Sequence, residues 1–171
     1  EDHECGCIYR EVPCPSNAML SKKCKAKVLV QNVIQHFEET HLKMESLSSD
    51  KTERYCHALV RLNEYGSQGN DCYFPPQKFE IDGKSFILAR KIKDKIHHRW
   101  VYIIGSPEEA KHFSFVFKLF GKNASAASTI FEGKVAAIDE TFDTLMDAGK
   151  CFTIAHRALM AQFVDKDGNY E

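Results

Sequence analysis

Apolar positions in the later two-thirds of the chain recur mostly with a period of two, the spacing of a half-buried strand. Phe113, Phe115, Phe117 and Leu119 alternate with Ser114, Val116 and Lys118 up to Gly121, which predicts a strand with four large side chains on one buried face. Residues 85–92 and 100–104 are β-branched and aromatic runs that Lys93-Asp94-Lys95 would join as a hairpin. Strands are also expected over 54–62, 129–131 and 152–154, with 63–70 as a turn-rich loop and Asp167-Gly168 as a tight turn. Three stretches follow helical spacing instead. Val30, Val33, Ile34 and Phe37 predict a helix over 30–41. Ser106-Pro107-Glu108-Glu109 offers an N-cap, a proline at the first helical position and acids in the first turn. Residues 135–148 place Ile138, Phe142, Leu145 and Met146 on one face and stop at Gly149. Many short strands with few helices predict a mainly β chain, an antiparallel sandwich.

The first 45 residues differ in chemistry. They hold Cys5, Cys7, Cys14 and Cys24 of the seven cysteines, with His3, His36 and His41, whereas almost all aromatics lie after residue 50. The polar stretch 45–51 reads as the junction, giving domains over 1–45 and 50–171. An odd cysteine count fits a closed disulfide framework poorly, and clustered Cys and His point to metal first. Cys14-x9-Cys24-x11-His36-x4-His41 supplies two thiolates and two imidazoles, the donor set of a tetrahedral Zn2+ site, with both histidines at the end of the 30–41 helix. A loop through Pro15, Ser16 and Asn17 would bulge out to absorb the long first gap. Such a site is closed, hence structural, and the 1–45 module should be unfolded without metal. His3-x3-Cys7 reads either as the last half of a first finger whose other two ligands would precede residue 1, or as a terminus in which Cys5 or Cys7 is a spare thiol.

Charge and composition narrow the rest. With 23 Lys+Arg against 24 Asp+Glu, the net charge of -1 lacks the basic footprint of a nucleic-acid binder. The lysines around Cys24 do not change this, because the 30–41 helix carries Glu38 and Glu39 and no Lys or Arg. Lys91, Lys93, Lys95, His97, His98 and Arg99 read as a solvated hairpin. No apolar run approaches the ~20 residues that span a bilayer, and no leading segment has the layout of a signal peptide, so no membrane is expected and the compartment is the cytoplasm, shared or not with the nucleus. The sequon at Asn123 is discounted accordingly. No catalytic site is expected: Cys151 with His156, and Cys56 with His57, lack an orienting third group and read as buried small hydrophobes. Asp165-Lys166-Asp167-Gly168 reads as a turn and not a calcium loop.

The stretch from His3 to His41, with its His-x3-Cys, Cys14-Pro15 and Cys-x11-His-x4-His steps, resembles the paired zinc-finger region of the seven-in-absentia (Siah) ubiquitin ligases. Ser85-Phe86-Ile87-Leu88, the run from Ile103-Ile104-Gly105-Ser106 through Ala110 to Phe113, and Phe115 to Gly121 are similar to that family's later strands and short helix entry. The resemblance covers nearly the whole chain and implies a TRAF-like β-sandwich that dimerises and binds degradation substrates or adaptors as an extended Pro-x-Ala-x-Val-x-Pro type peptide added to a sheet edge. It implies a groove near Leu47, Tyr55, Cys56, Ala58 and Val60, with Asp71 and Tyr73 as the nearest counterparts of the family's acidic and aromatic positions. The family's RING lies upstream of the fingers, so a ubiquitin-conjugating enzyme would be recruited only through a segment preceding residue 1, and the chain reads as a fragment. The alternative is a RING-less zinc-binding adaptor with a private partner.

Overall fold

A computed structural model describes residues 7–20, 23–46, 72–120 and 128–162. The expected strand at 54–62, the loop at 63–70, the Asp167-Gly168 turn, His3 and the groove positions Leu47, Tyr55, Cys56, Ala58, Val60 and Asp71 lie outside these residues. The described part is mainly β, 41% strand against 26% helix.

The centre is a long hairpin of β6 (Lys84–Lys93) and β7 (Ile96–Ile103), paired from Phe86↔Ile103 to Lys93↔Ile96. Its turn lies where Lys93-Asp94-Lys95 predicts it, with Asp94 and Lys95 at φ 52° and 61°. That is the mirror-image turn matching the twist of a two-residue hairpin. A second such turn at Asp82-Gly83, φ 51° and 72°, joins β5 (Gln77–Ile81) to β6. β11 (Phe152–Ala155) pairs antiparallel to β7, and β4 (Cys72–Tyr73) to β6. Two short pairings are parallel: β3 (Glu45–Ser46) with β5, and β10 (Ala136–Ala137) with β7. The seven-stranded sheet is therefore mixed and not purely antiparallel. β8 (Ser114–Leu119) and β9 (Thr129–Lys134) form a separate two-stranded ribbon.

Alternation along β6 and β7 sends side chains to two faces, each with its own core. One face carries Ile87, Ala89, Trp100 and Tyr102. The other carries Phe86, Ile92, Val101 and Ile103, which pack with Phe115, Phe117 and Leu119 of the ribbon. This is the buried face that the Phe113–Leu119 alternation predicts; Ser114, Val116 and Lys118 point outward.

Short helices close the edges. Ser106 caps α3 (Pro107–Ala110) in a full capping box, its hydroxyl accepting from Glu109 N–H while the Glu109 carboxylate accepts from Ser106 N–H. The helix expected over 135–148 is only α4 (Phe142–Asp147), capped by Thr141. Its first part is extended, because Ala136–Ala137 completes the sheet beside Tyr102 and Ile103. α5 (His156–Gln162) follows β11 directly.

The segment before residue 46 builds on the Trp100 face. β1 (Glu11–Pro13) pairs with β2 (Lys27–Leu29), with α1 (Ser16–Met19) between them, and a 3-10 turn (Val30–Asn32) leads into α2 (Val33–Thr40). Val12, Cys14, Ala18, Met19, Val28, Val30, Val33, Phe37 and Met44 share one buried cluster with Ile87, Ala89, Trp100, Tyr102, Ala136, Ile138, Leu145 and Cys151. Nine of these seventeen residues precede residue 46, so the Cys/His segment and the sheet bury their apolar surface together. Three polar ties reinforce the contact. Arg10 pairs with Asp139 at 2.9 Å and donates to Gly105 O, Lys78 pairs with Glu38 at 2.7 Å, and Lys91 donates to Ala18 O at 3.1 Å.

Candidate metal centre

Cys14, Cys24, His36 and His41 converge, their donor atoms all within 4.8 Å of one another. Each arrives from a different local device. Cys14 follows β1 and its N–H donates to Ala26 O, so the β1–β2 pairing fixes its backbone. The ten-residue step to Cys24 begins with a helical turn, α1, and not with the expected bulged loop. Asn17 then clamps Cys24 through both of its backbone groups, donating to Cys24 O at 2.9 Å and accepting from Cys24 N–H at 2.8 Å.

His36 and His41 are five residues apart, about 140° around an ideal helix, and so would face different ways. The helix ends between them: His41 is the C-cap at φ -119°, ψ -84°, and this break turns its ring back. Its ring packs on Phe37 and lies edge-on to His36, centroids 5.3 and 5.2 Å away.

Cys14 Sγ stands 3.3 Å from His41 Nε2, and Cys24 Sγ 3.7 Å from His36 Nε2. Cys14 is buried at 1% exposure while the other three are half-buried. Burial pushes the Cys14 thiol up, opposed by hydrogen bonding with Ser16, to whose Oγ the thiol donates at 3.1 Å. A bound cation would remove the thiol proton outright and make Ser16 the donor to a thiolate. Thr40 Oγ1 lies 3.4 Å from His36 Nδ1, an outer partner that fixes the ring with Nε2 toward the centre. Two thiolates and two imidazoles this close can hold a metal ion.

Of the other expected site residues, Cys7 is described and half-buried but is not in the four-donor group. Tyr73 lies on β4, half-buried, opposite Lys91. Burial pushes the Cys151 thiol up to about 12, the reverse of what a nucleophile needs.

The basic stretch differs from the solvated hairpin its composition suggests. Lys93, Asp94 and Lys95 are exposed, but Lys91, His97 and His98 are buried, at 7%, 5% and 6% exposure. Strand alternation aims Lys91 at the Trp100 face, where its ammonium lies 3.2 Å from the Phe142 ring centroid and reaches the Ala18 carbonyl. The end-to-end contact of His97 with His156 was likewise invisible in the sequence, since it joins residues 59 apart.

Among the described residues, no helix is long and apolar enough to cross a membrane. No protein-family model matches the chain, and no curated protein matches it.

Proposed function

We propose that Cys14, Cys24, His36 and His41 hold Zn2+ as a closed structural centre, and that the chain is a protein-binding domain stapled by that ion. The observation that carries this reading is the convergence of the four donors. Zn–S of about 2.3 Å and Zn–N of about 2.0–2.1 Å at the tetrahedral angle separate S from N by about 3.5 Å. The two S···N distances, 3.3 and 3.7 Å, lie on either side of that value. Four protein donors leave no coordination position for water, so the ion would organise the fold and activate nothing.

The partner class follows from the resemblance to the Siah ligases. The two-Cys, two-His centre ahead of a mainly β region, with an aromatic ribbon over one sheet face, supports a zinc-finger module and a TRAF-like sandwich. In this reading the chain dimerises and receives degradation substrates as an extended peptide along a sheet edge, and a RING outside these residues recruits the ubiquitin-conjugating enzyme. Tyr73 is the groove position that lies among the described residues.

Two experiments test the two levels. Elemental analysis should return one zinc per chain, and Cys24→Ser with His36→Ala should lose it; equal zinc in the double variant sinks the ligand assignment. Calorimetric titration with a Pro-x-Ala-x-Val-x-Pro peptide should give micromolar binding that a Val→Asn peptide lacks. Zinc-loaded, folded protein that binds neither peptide overturns the substrate-receptor reading and leaves the adaptor.

A further inference from the structure

His97 and His156 meet on the sheet face opposite the metal centre. His97 Nε2 is 2.9 Å from His156 Nδ1, and the ring planes are 9° apart. The 5.2 Å between ring centroids is the full length that this contact and the two ring radii can span, so the rings lie end to end in one plane. One neutral ring donates its N–H to the lone pair of the other. Nitrogens that point at each other do not converge on a third point, so the pair is a hydrogen bond and not a chelate.

Its position makes it structural. His97 is buried on β7, opposite Ile92 of β6 and Ile154 of β11. His156 is the first residue of α5, and its N–H donates to Lys95 O at 2.8 Å. One turn further, α5 sinks Leu159 at 1% exposure into the cluster of Ile92, Leu119 and Phe152.

We propose that the His97–His156 bond is an acid-released latch holding α5 and its Leu159 anchor on the sheet. The neutral pair carries two ring protons, one of them in the bridge. A third proton leaves an imidazolium donating to a neutral ring, and the bond survives. A fourth puts N–H on both facing nitrogens, and the bond is lost to repulsion. The charges acting on His97 among the described residues are His156 from α5 and Arg99 and His98 from its own strand; β6 sets uncharged Ile92 directly opposite with Arg90 further along the same face, and β11 sets uncharged Ile154 against it. Burial first, and then these like charges, take His97 down to about 3, and burial lowers His156. With α5 lifted, both rings titrate near ~6.5. The open form therefore binds more protons across this window, and acid favours it. His97 alone raises the opening equilibrium about 30-fold between pH 7.5 and pH 5.

Hydrogen exchange by mass spectrometry on the full chain tests this, with rates corrected for intrinsic pH dependence and metal content followed in the same samples. Exchange in 156–162 should rise about 30-fold from pH 7.5 to pH 5 in the parent. In His97→Phe, which keeps a planar ring and cannot titrate, the rise should shrink to the smaller share that half-exposed His156 supplies. His156→Gln, at a half-exposed position, should open α5 several-fold more at pH 7.5 while leaving metal content and exchange at β1–β2 unchanged. An equal acid response in His97→Phe, or a parent α5 that exchanges alike at both pH values, overturns the latch.

Discussion

Chelating the metal should unfold the sheet as well as the segment that carries the ligands. Read from composition, residues 1–45 form a separate module whose loss leaves a sandwich standing; the shared core argues otherwise. Met19, Phe37, Val12 and Val33 are fully buried in one cluster with Trp100, Tyr102 and Ile87. A structural zinc supplies ~10–16 kcal/mol to folding, and a whole domain is stable by only ~5–15 kcal/mol. Trp100 and Tyr102 together bury roughly 400 Å2, worth about 10 kcal/mol at ~25 cal/mol per Å2 as an upper bound. Uncovering half of that surface costs about 5 kcal/mol, enough to consume the stability of the sheet. Trp100 is the chain's single tryptophan, so its emission reports this face directly. On titration with a strong chelator, a chromophoric assay of released metal and the red shift of Trp100 should share one midpoint. Full release of metal while Trp100 stays blue and near-UV dichroism is kept would mean that the sheet stands without the metal segment.

Other perturbations follow from single contacts. Lys91→Ala removes a buried charged hydrogen bond and a ring contact and should cost about 2–4 kcal/mol in urea denaturation. Lys91→Met, which keeps the packed stem, should cost less, and equal losses would mean that the ammonium contacts set the whole effect. Lys95→Gly relieves a residue at φ 61° and should stabilise by about 0.5–1 kcal/mol, whereas Gly83→Ala at φ 72° should destabilise by about 1 kcal/mol. Ser106→Ala should cost ~1 kcal/mol through the lost capping box. Global stability should fall with acid: His97 sits near 3 folded and ~6.5 unfolded, so its neutral burial is undisturbed above about pH 6.5 and costs about 2 kcal/mol by pH 5. Glu109, held below the usual carboxylate range by Lys84 and Ser106, adds to the loss only at still lower pH, within and below that range. Urea midpoints at pH 7.5 and pH 5 for the parent and His97→Phe isolate the His97 share from that of His98 and His156, which burial also lowers.

The four donors were legible in the sequence because their chemistry is concentrated in few residue types and half of them lie on one helix end. The β6–β7 hairpin was legible too, since two apolar runs with a short polar break specify their own pairing. Asp82-Gly83 carries an equally local turn signal, and β5 with it is within reach of the sequence pattern. What lay beyond reading depends on register. In Lys91-Ile92-Lys93 nothing local says that the first lysine is covered and the second exposed; both point to one face, and Lys93↔Ile96 lies at the hairpin end, where that face is open. Ala136 and Ala137 favour helix by propensity, yet a parallel contact with Tyr102 and Ile103 overrides that preference. The gap between Cys14 and Cys24 reads as slack in the sequence, whereas Asn17 bridges the backbone N–H and C=O of Cys24.

The β6–β7 hairpin places its two chemistries back to back. Lys91, His98 and Trp100 face the metal segment, whereas Arg90, Ile92, His97 and Arg99 face the other way. Metal loss and acid thus attack one sheet from opposite sides, through groups whose side chains do not touch. Acid also competes for Cys14, Cys24, His36 and His41, so a low-pH transition alone does not say which face gave way. The two faces differ in what reports them. Opening of α5 uncovers Leu159 and leaves Trp100 in the cluster it shares with the metal segment, whereas loss of metal uncovers Trp100 first. If fast exchange in 156–162 precedes any shift in Trp100 emission as the pH is lowered, the latch yields before the centre. The reverse order would mean that the shared core governs both faces.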